Sequence, residues 1–302
     1  MTEKWLIAPG EERVIDIESA TRLKVGLVGG QVDVIAHDEP GIRIEVHGVT
    51  IKDLRIESHG GEVEIDHPQL GWDNFLEVFR NFGSGGPKAE VSVAVPRSIA
   101  LNLGVVSAGA LVSGIHNDAR LNTVSGDLIV DTLVGDLSVN TVSGDVQVRG
   151  LTGTVNANSV SGDVAVTGDV RKVTVDVVSG ATTVDATGDV NTINVNTVSG
   201  ATTIRLDESL PANYVIRSLS GRVLVDGVER SSSGPSTYTG SAGELAGSFV
   251  DLRANSVSGG ITVLRRTTAA VAGNAEQDDT HAERTTTATQ DAEGAEATEE
   301  RP

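Results

Sequence analysis

The chain of 302 residues contains no cysteine. That excludes disulfides, thiolate metal sites, a cysteine nucleophile and cysteine-linked lipid anchors. Aromatic residues are nearly missing as well: 2 Trp, 2 Tyr and 4 Phe make up 3% of the chain. A core built on large rings is therefore excluded, and Val, Ile, Leu, Thr and Ala must carry the packing. No apolar run approaches the length that spans a bilayer. The run ahead of Pro9 (Trp5, Leu6, Ile7, Ala8) is too short for the core of a secretory signal. The expectation is a cytoplasmic protein without membrane insertion. Positive charge is scarce too: 23 Lys and Arg stand against 42 Asp and Glu, a net charge of −19. Nine acidic and two basic residues in 267–302 supply −7 of it. A surface this acidic repels phosphate backbones, so nucleic acid is not an expected partner.

What the chain does have is repetition. Val124-Ser125-Gly126, Val142-Ser143-Gly144, Val160-Ser161-Gly162 and Val178-Ser179-Gly180 recur every 18 residues. The glycines then step by 20 to Gly200 and by 21 to Gly221, and the motif returns at Val257-Ser258-Gly259. Val106-Ser107-Ala108 sits one period before the first full copy. A fixed period near 20 residues marks a solenoid, in which no single repeat can bury its own apolar face. With 35 Gly and little helical periodicity, the repeats read as strands. The fold expected is all-β: a single-chain parallel β-solenoid of about 18–21 residues per coil, with coils about 4.8 Å apart.

Stacking the copies aligns columns. One holds Leu103, Leu121, Val139, Ala157, Val175, Val195, Ile216 and Ala254. A second holds Val106, Val124, Val142, Val160, Val178, Val198, Leu219 and Val257. Residues three apart cannot both face inward on a flat strand, so a bend between these columns is expected. At that bend stand Asn122, Asn140, Asn158, Asp176, Asn196 and Asn255, whose amides can bond to the equivalent side chain one coil away. Ser125, Ser143, Ser161, Ser179 and Ser199 form a further ladder, with Ser107, Ser220 and Ser258 as its outlying members. A nucleophile has no use for eight copies, so the serines read as structural.

Three regions follow. Residues 1–100 read as short strands capping one end, with Leu23 to Ile35 a hairpin turning at Gly29-Gly30. Residues 101–265 are the repeats, interrupted by a loop excursion at 226–250 and closed by a last coil near Ile261 to Leu264. Residues 266–302, rich in Ala, Thr, Glu and Asp, read as a disordered acidic tail.

No catalytic, cofactor or metal site is expected. Asp127, Asp145 and Asp163 follow the repeat glycines, but the column lapses to Ala181 and lacks the glycine pattern of calcium-binding β-repeats, so solvated turn aspartates are expected. His59 and His67 flank Glu62, Glu64 and Asp66, the nearest approach to a ligand cluster, and read as exposed strand residues. Gly83 to Lys88 is no phosphate loop, because Pro87 lacks an N–H and Ala89 lacks a hydroxyl. The repeats also hold no Trp platform of the kind that carbohydrate-cleaving β-helices use. The one aromatic concentration is Trp72, Phe75, Leu76, Phe79 and Phe82, with the first four on one face of a short helix over 73–82. It reads as a plug over the open core or as a docking helix for a protein partner.

The Val-Ser-Gly-Asp-Val-x-Val coils, with 87–96 as their entry, resemble a bacterial β-strand-repeat family of unknown function labelled "putative adhesin". The resemblance covers about residues 1–265. It implies a β-solenoid without established catalytic residues. The expected function is a non-catalytic scaffold or protein-binding module. The alternatives are self-association into a filament through the exposed C-terminal coil, or an exported cell-surface adhesin.

Overall fold

The computed structural model describes residues 2–68, 86–231, 234–245 and 247–266, and every regular element among them is a β-strand. Alternation explains the local choice. In Val146-Gln147-Val148 and Val164-Ala165-Val166 the outer residues are buried and the middle one is not, the period-two pattern of a strand with one covered face. Neighbouring repeats pair in parallel: Leu128 opposes Val146, Val146 opposes Val164, and Val139 opposes Ala157. Partners there stand 18 residues apart, so the sequence period is the register of the ladder. Inward side chains merge into one core running from Ile7 to Val263. It is built almost wholly of Val, Ile, Leu and Ala, and among the described residues Tyr214 is the largest side chain fully inside.

The Ser-Gly step needs glycine for a close approach. At Gly162 φ is +123°, and a Cβ there would stand 2.2 Å from the carbonyl oxygen of Gly144. Only a residue without Cβ lets successive backbones meet at this corner.

Several expectations are corrected. Leu23 to Ile35 is not a hairpin. It lies within the strand Arg22–His37, which runs parallel to Ala100–Ser113 along most of its length. Gly30 is needed for the same kind of corner, since a Cβ would fall 2.0 Å from the Ala89 carbonyl oxygen. The first repeat-like strand therefore belongs to the N-terminal region. Beyond it, Glu62–Asp66 and Lys88–Pro96 pair in parallel with its two halves, and antiparallel strands follow: Leu54–His59 then Thr2–Ile7 on one side, Ile42–Thr50 then Arg13–Ile17 on the other.

At the C-terminal end, order along the stack departs from order along the chain. Thr192–Ser199 and Thr202–Asp207 pair with Val250–Ser258 and Ile261–Arg266. Those strands pair in turn with Ala212–Ser220 and Val223–Val225. The segment at 261–264, expected as an exposed end, is thus flanked on both sides. The interval 226–250, expected as a loop, carries Val228–Ser231 and Ser236–Ala242, which lie antiparallel on Val223–Val225 and Ala212–Ser220. Antiparallel strands at both ends blunt the edges that a bare parallel ladder would expose.

Two arginines pin the inserted strand. Arg265 donates from Nε to Tyr214 Oη at 3.0 Å and from Nη1 to the carbonyl oxygens of Asp207 and Leu210. Arg266 donates to Asp207 Oδ1 at 2.8 Å and to Asp185 Oδ1. The predicted helix at 73–82, with Trp72, Phe75, Leu76, Phe79 and Phe82, lies outside the described residues, as does 267–302.

Candidate functional site

From Val134–Ser143 onward, the strands that lead into the Val-Ser-Gly corners keep strict alternation. Val139 is buried, Asn140 exposed, Thr141 buried and Val142 exposed. No bend intervenes, so the second valine column is corrected: from Val142 onward it faces outward. Relative exposure is 42% at Val142, 50% at Val160, 48% at Val178, 47% at Val198, 46% at Val257 and 56% at Leu219, against 3% at Val106 and Val124. The parity conflict between the two columns is resolved by exposure and not by a bend: a residue three positions after an inward one points outward. The inward place between them goes to Thr141, Ser159, Val177, Thr197, Ser256 and Ser218. Among the described residues, the hydroxyls of Thr141, Ser159, Thr197 and Ser218 are buried without a hydrogen-bond partner.

Beside the valine row runs the asparagine column. Asn140 Nδ2 donates to Asn122 Oδ1 at 3.0 Å, and Asn158 Nδ2 to Asn140 Oδ1 at 2.9 Å. Asn196 donates to Asp176 Oδ1 at 2.7 Å, and Asn255 to Asn196 Oδ1 at 2.8 Å. Every bond points the same way along the stack. Asp176 opposes Asn158 in register, yet its carboxylate has no hydrogen to give, so the run lapses there. The last place in the column is Arg217, which opposes Asn255. The serines stack in register from Ser125 through Ser143, Ser161, Ser179, Ser199 and Ser258 to Ser220, exposed throughout.

The turn aspartates form a different ladder. The backbone N–H of Asp145 donates to Asp127 Oδ1 at 3.0 Å, that of Asp163 to Asp145 Oδ1 at 2.9 Å, and that of Ala181 to Asp163 Oδ1 at 2.7 Å. Each carboxylate caps the corner one repeat further on. The ladder ends at Ala181, whose methyl offers no acceptor to the next repeat. The histidine cluster does not assemble: Glu62 pairs with Arg22 and Lys24, Asp66 with Arg55, and His67 is buried instead of exposed. Among the described residues, no group of three or more His, Asp or Glu could hold a metal ion.

The asparagine column and the valine row wall a groove of about 840 Å³, bounded at its upper end by Pro235, Ser236 and Thr237. Among the described residues that line it, only Asp176 and Arg217 are charged. On so acidic a protein, this is a nearly neutral, half-apolar strip.

The Toastrack DUF4097 family model matches residues 20–264, from just before the first parallel strand to within the last. The chain belongs to the Toastrack family, a family of unknown function. The Toastrack span holds every residue of the groove. Solved structures similar to this Toastrack chain include a "putative cell adhesion protein" from Clostridium sporogenes, 15% identical, covering 86% of this chain and 100% of that one at a TM-score of 0.29. A "putative adhesin" from Bacteroides fragilis is 13% identical, covering 84% and 98% at a TM-score of 0.43. Another "putative adhesin", from Parabacteroides merdae, is 11% identical, covering 84% and 96% at a TM-score of 0.33. No curated protein matches.

Proposed function

We propose that this Toastrack chain is a non-catalytic binding scaffold. In this reading it is a single-chain parallel β-solenoid that presents the row from Val142 to Leu219 to a protein partner. The registers between repeats support the solenoid. The observation that carries the function is the outward valine row. β-Branched side chains with nearly half their surface in water, aligned along one strip, make a contiguous apolar patch of the kind that marks an interaction surface. The asparagines beside it satisfy one another, so a partner can cover them at small cost in lost hydrogen bonds. The non-catalytic part of the reading rests on the commitment of Asp127, Asp145 and Asp163 to backbone N–H groups. The adhesin names of the similar structures agree with a binding role.

The test is affinity capture from native lysate with the parent chain and with a Val160→Asp, Val198→Asp double variant. Both positions face solvent, so unfolding curves should coincide. Loss of a captured protein with the variant, reproduced with that protein purified, supports the reading. Capture that is identical for the two chains overturns it.

A further inference from the structure

We propose that the occupant of this face is a second copy of the chain, docked antiparallel about a two-fold axis that passes between Asn196 and Asn255. This rests on the reading that the face binds protein, and it names the partner.

The asparagine column gives up asparagine at two places. In stacking order the column reads Asn122, Asn140, Asn158, Asp176, Asn196, Asn255, Arg217. Asp176 costs a hydrogen bond, since an asparagine there could donate to Asn158. The Arg217 side chain stands exposed and makes no hydrogen bond or ion pair among the described residues. The two departures carry opposite charge, and they stand symmetrically about the midpoint between Asn196 and Asn255. Three strand spacings separate them, about 14 Å.

A two-fold axis lying in the interface, along the strand direction, reverses the stack and keeps each column over its counterpart. About the stated midpoint, Asp176 of one copy then faces Arg217 of the other, twice. Asn196 faces Asn255, Val178 faces Leu219, and Val198 faces Val257. A parallel arrangement would instead bring like charges to the same level. Arranged this way, charge selects orientation and register while the valine row supplies the apolar contact. The interface is isologous and closes after two copies, unlike the filament alternative.

The chain's lack of cysteine makes a clean experiment. Val178→Cys and Leu219→Cys variants are oxidised separately and as a mixture. Mixed disulfide should form in the mixture. Each variant alone should remain uncoupled, because equivalent thiols are three strand spacings apart, beyond disulfide reach. In sedimentation, Asp176→Arg or Arg217→Asp should weaken the dimer at least about tenfold, and the two together should restore it to within about threefold. Homodisulfides as abundant as mixed ones, or a monomer at every concentration, overturn the proposal. Capture of another protein that Val160→Asp, Val198→Asp abolishes would then leave the binding reading standing, whereas loss of both would remove it too.

Discussion

A methyl group on Gly162 would stand 2.2 Å from the Gly144 carbonyl oxygen, at a φ of +123°. Gly162→Ala is therefore expected to cost about 3 kcal/mol or more, read as a lowered denaturation midpoint. Gly109→Ala serves as its control, since nothing lies within 4 Å of that Cβ and φ is not positive. It should be neutral or slightly stabilising. The opposite sign is expected at Asp176. Asp176→Asn supplies the missing donor toward Asn158 Oδ1 and should raise stability by about 1 kcal/mol, while weakening the dimer inferred above. A variant of unchanged stability would mean that the lapse at Asp176 has no energetic weight. At this scale the asparagine column was legible because identical side chains at one period leave little else for them to do. The aspartate ladder was not. Its acceptor is a side chain but its donor is the main chain of another repeat, and backbone leaves no mark in a sequence.

Strand Glu62–Asp66 ends at His67, whose imidazole is buried with both ring nitrogens unpartnered among the described residues. Burial pushes its pKa down to about 4, opposed by the Asp66 carboxylate and aided by Lys52. The folded protein therefore holds His67 neutral where the unfolded chain, with a value near 6.5, takes a proton. Stability is full above about pH 6.5 and falls as pH drops toward 4, by up to about 3 kcal/mol. His67→Leu should flatten that slope between pH 6.5 and 4.5 in urea titrations. An unchanged slope would mean the ring ionises without unfolding. Below that window Glu57 and Glu62, held low chiefly by hydrogen bonds from Lys4 and Lys24, add their own loss as they protonate. Elements were legible wherever the alternation was clean, as in Val164-Ala165-Val166. The strand Arg22–His37 was misread as a hairpin because a Gly-Gly pair between apolar runs is also a turn signal. Its kinship lay in Val28-Gly29-Gly30-Gln31-Val32-Asp33-Val34, the repeat motif with glycine for serine and glutamine for aspartate.

At the scale of the whole molecule, the stacking of 250–266 between 192–207 and 212–225 is the feature that no local pattern announces. All three segments carry the same motif, so any order of them satisfies the same columns. The contacts of Arg265 with Tyr214, Asp207 and Leu210, and of Arg266 with Asp207 and Asp185, separate the alternatives, and they join residues more than fifty positions apart. The physical consequence concerns cooperativity. In a stack where each layer touches only its neighbours, stability passes through adjacent layers. Ala212–Ser220 rests on Val250–Ser258 and Ser236–Ala242, and neither of its partners is Thr192–Ser199. A chain stopped at Gly227 loses both supports, leaving 212–225 without the layer it docks on and Tyr214 without Arg265. Amides of 212–225 should then exchange at rates close to those of an unfolded peptide, while those of 128–179 keep their protection, measured by hydrogen exchange with mass spectrometry. Arg265→Ala in the full chain should give a milder form of the same pattern, with faster exchange confined to 202–225 and 250–266. If 212–225 stayed protected in the shortened chain, it would have moved down into the vacated layer. The insertion of 250–266 would then be one of two registers of nearly equal energy, not a requirement of the fold.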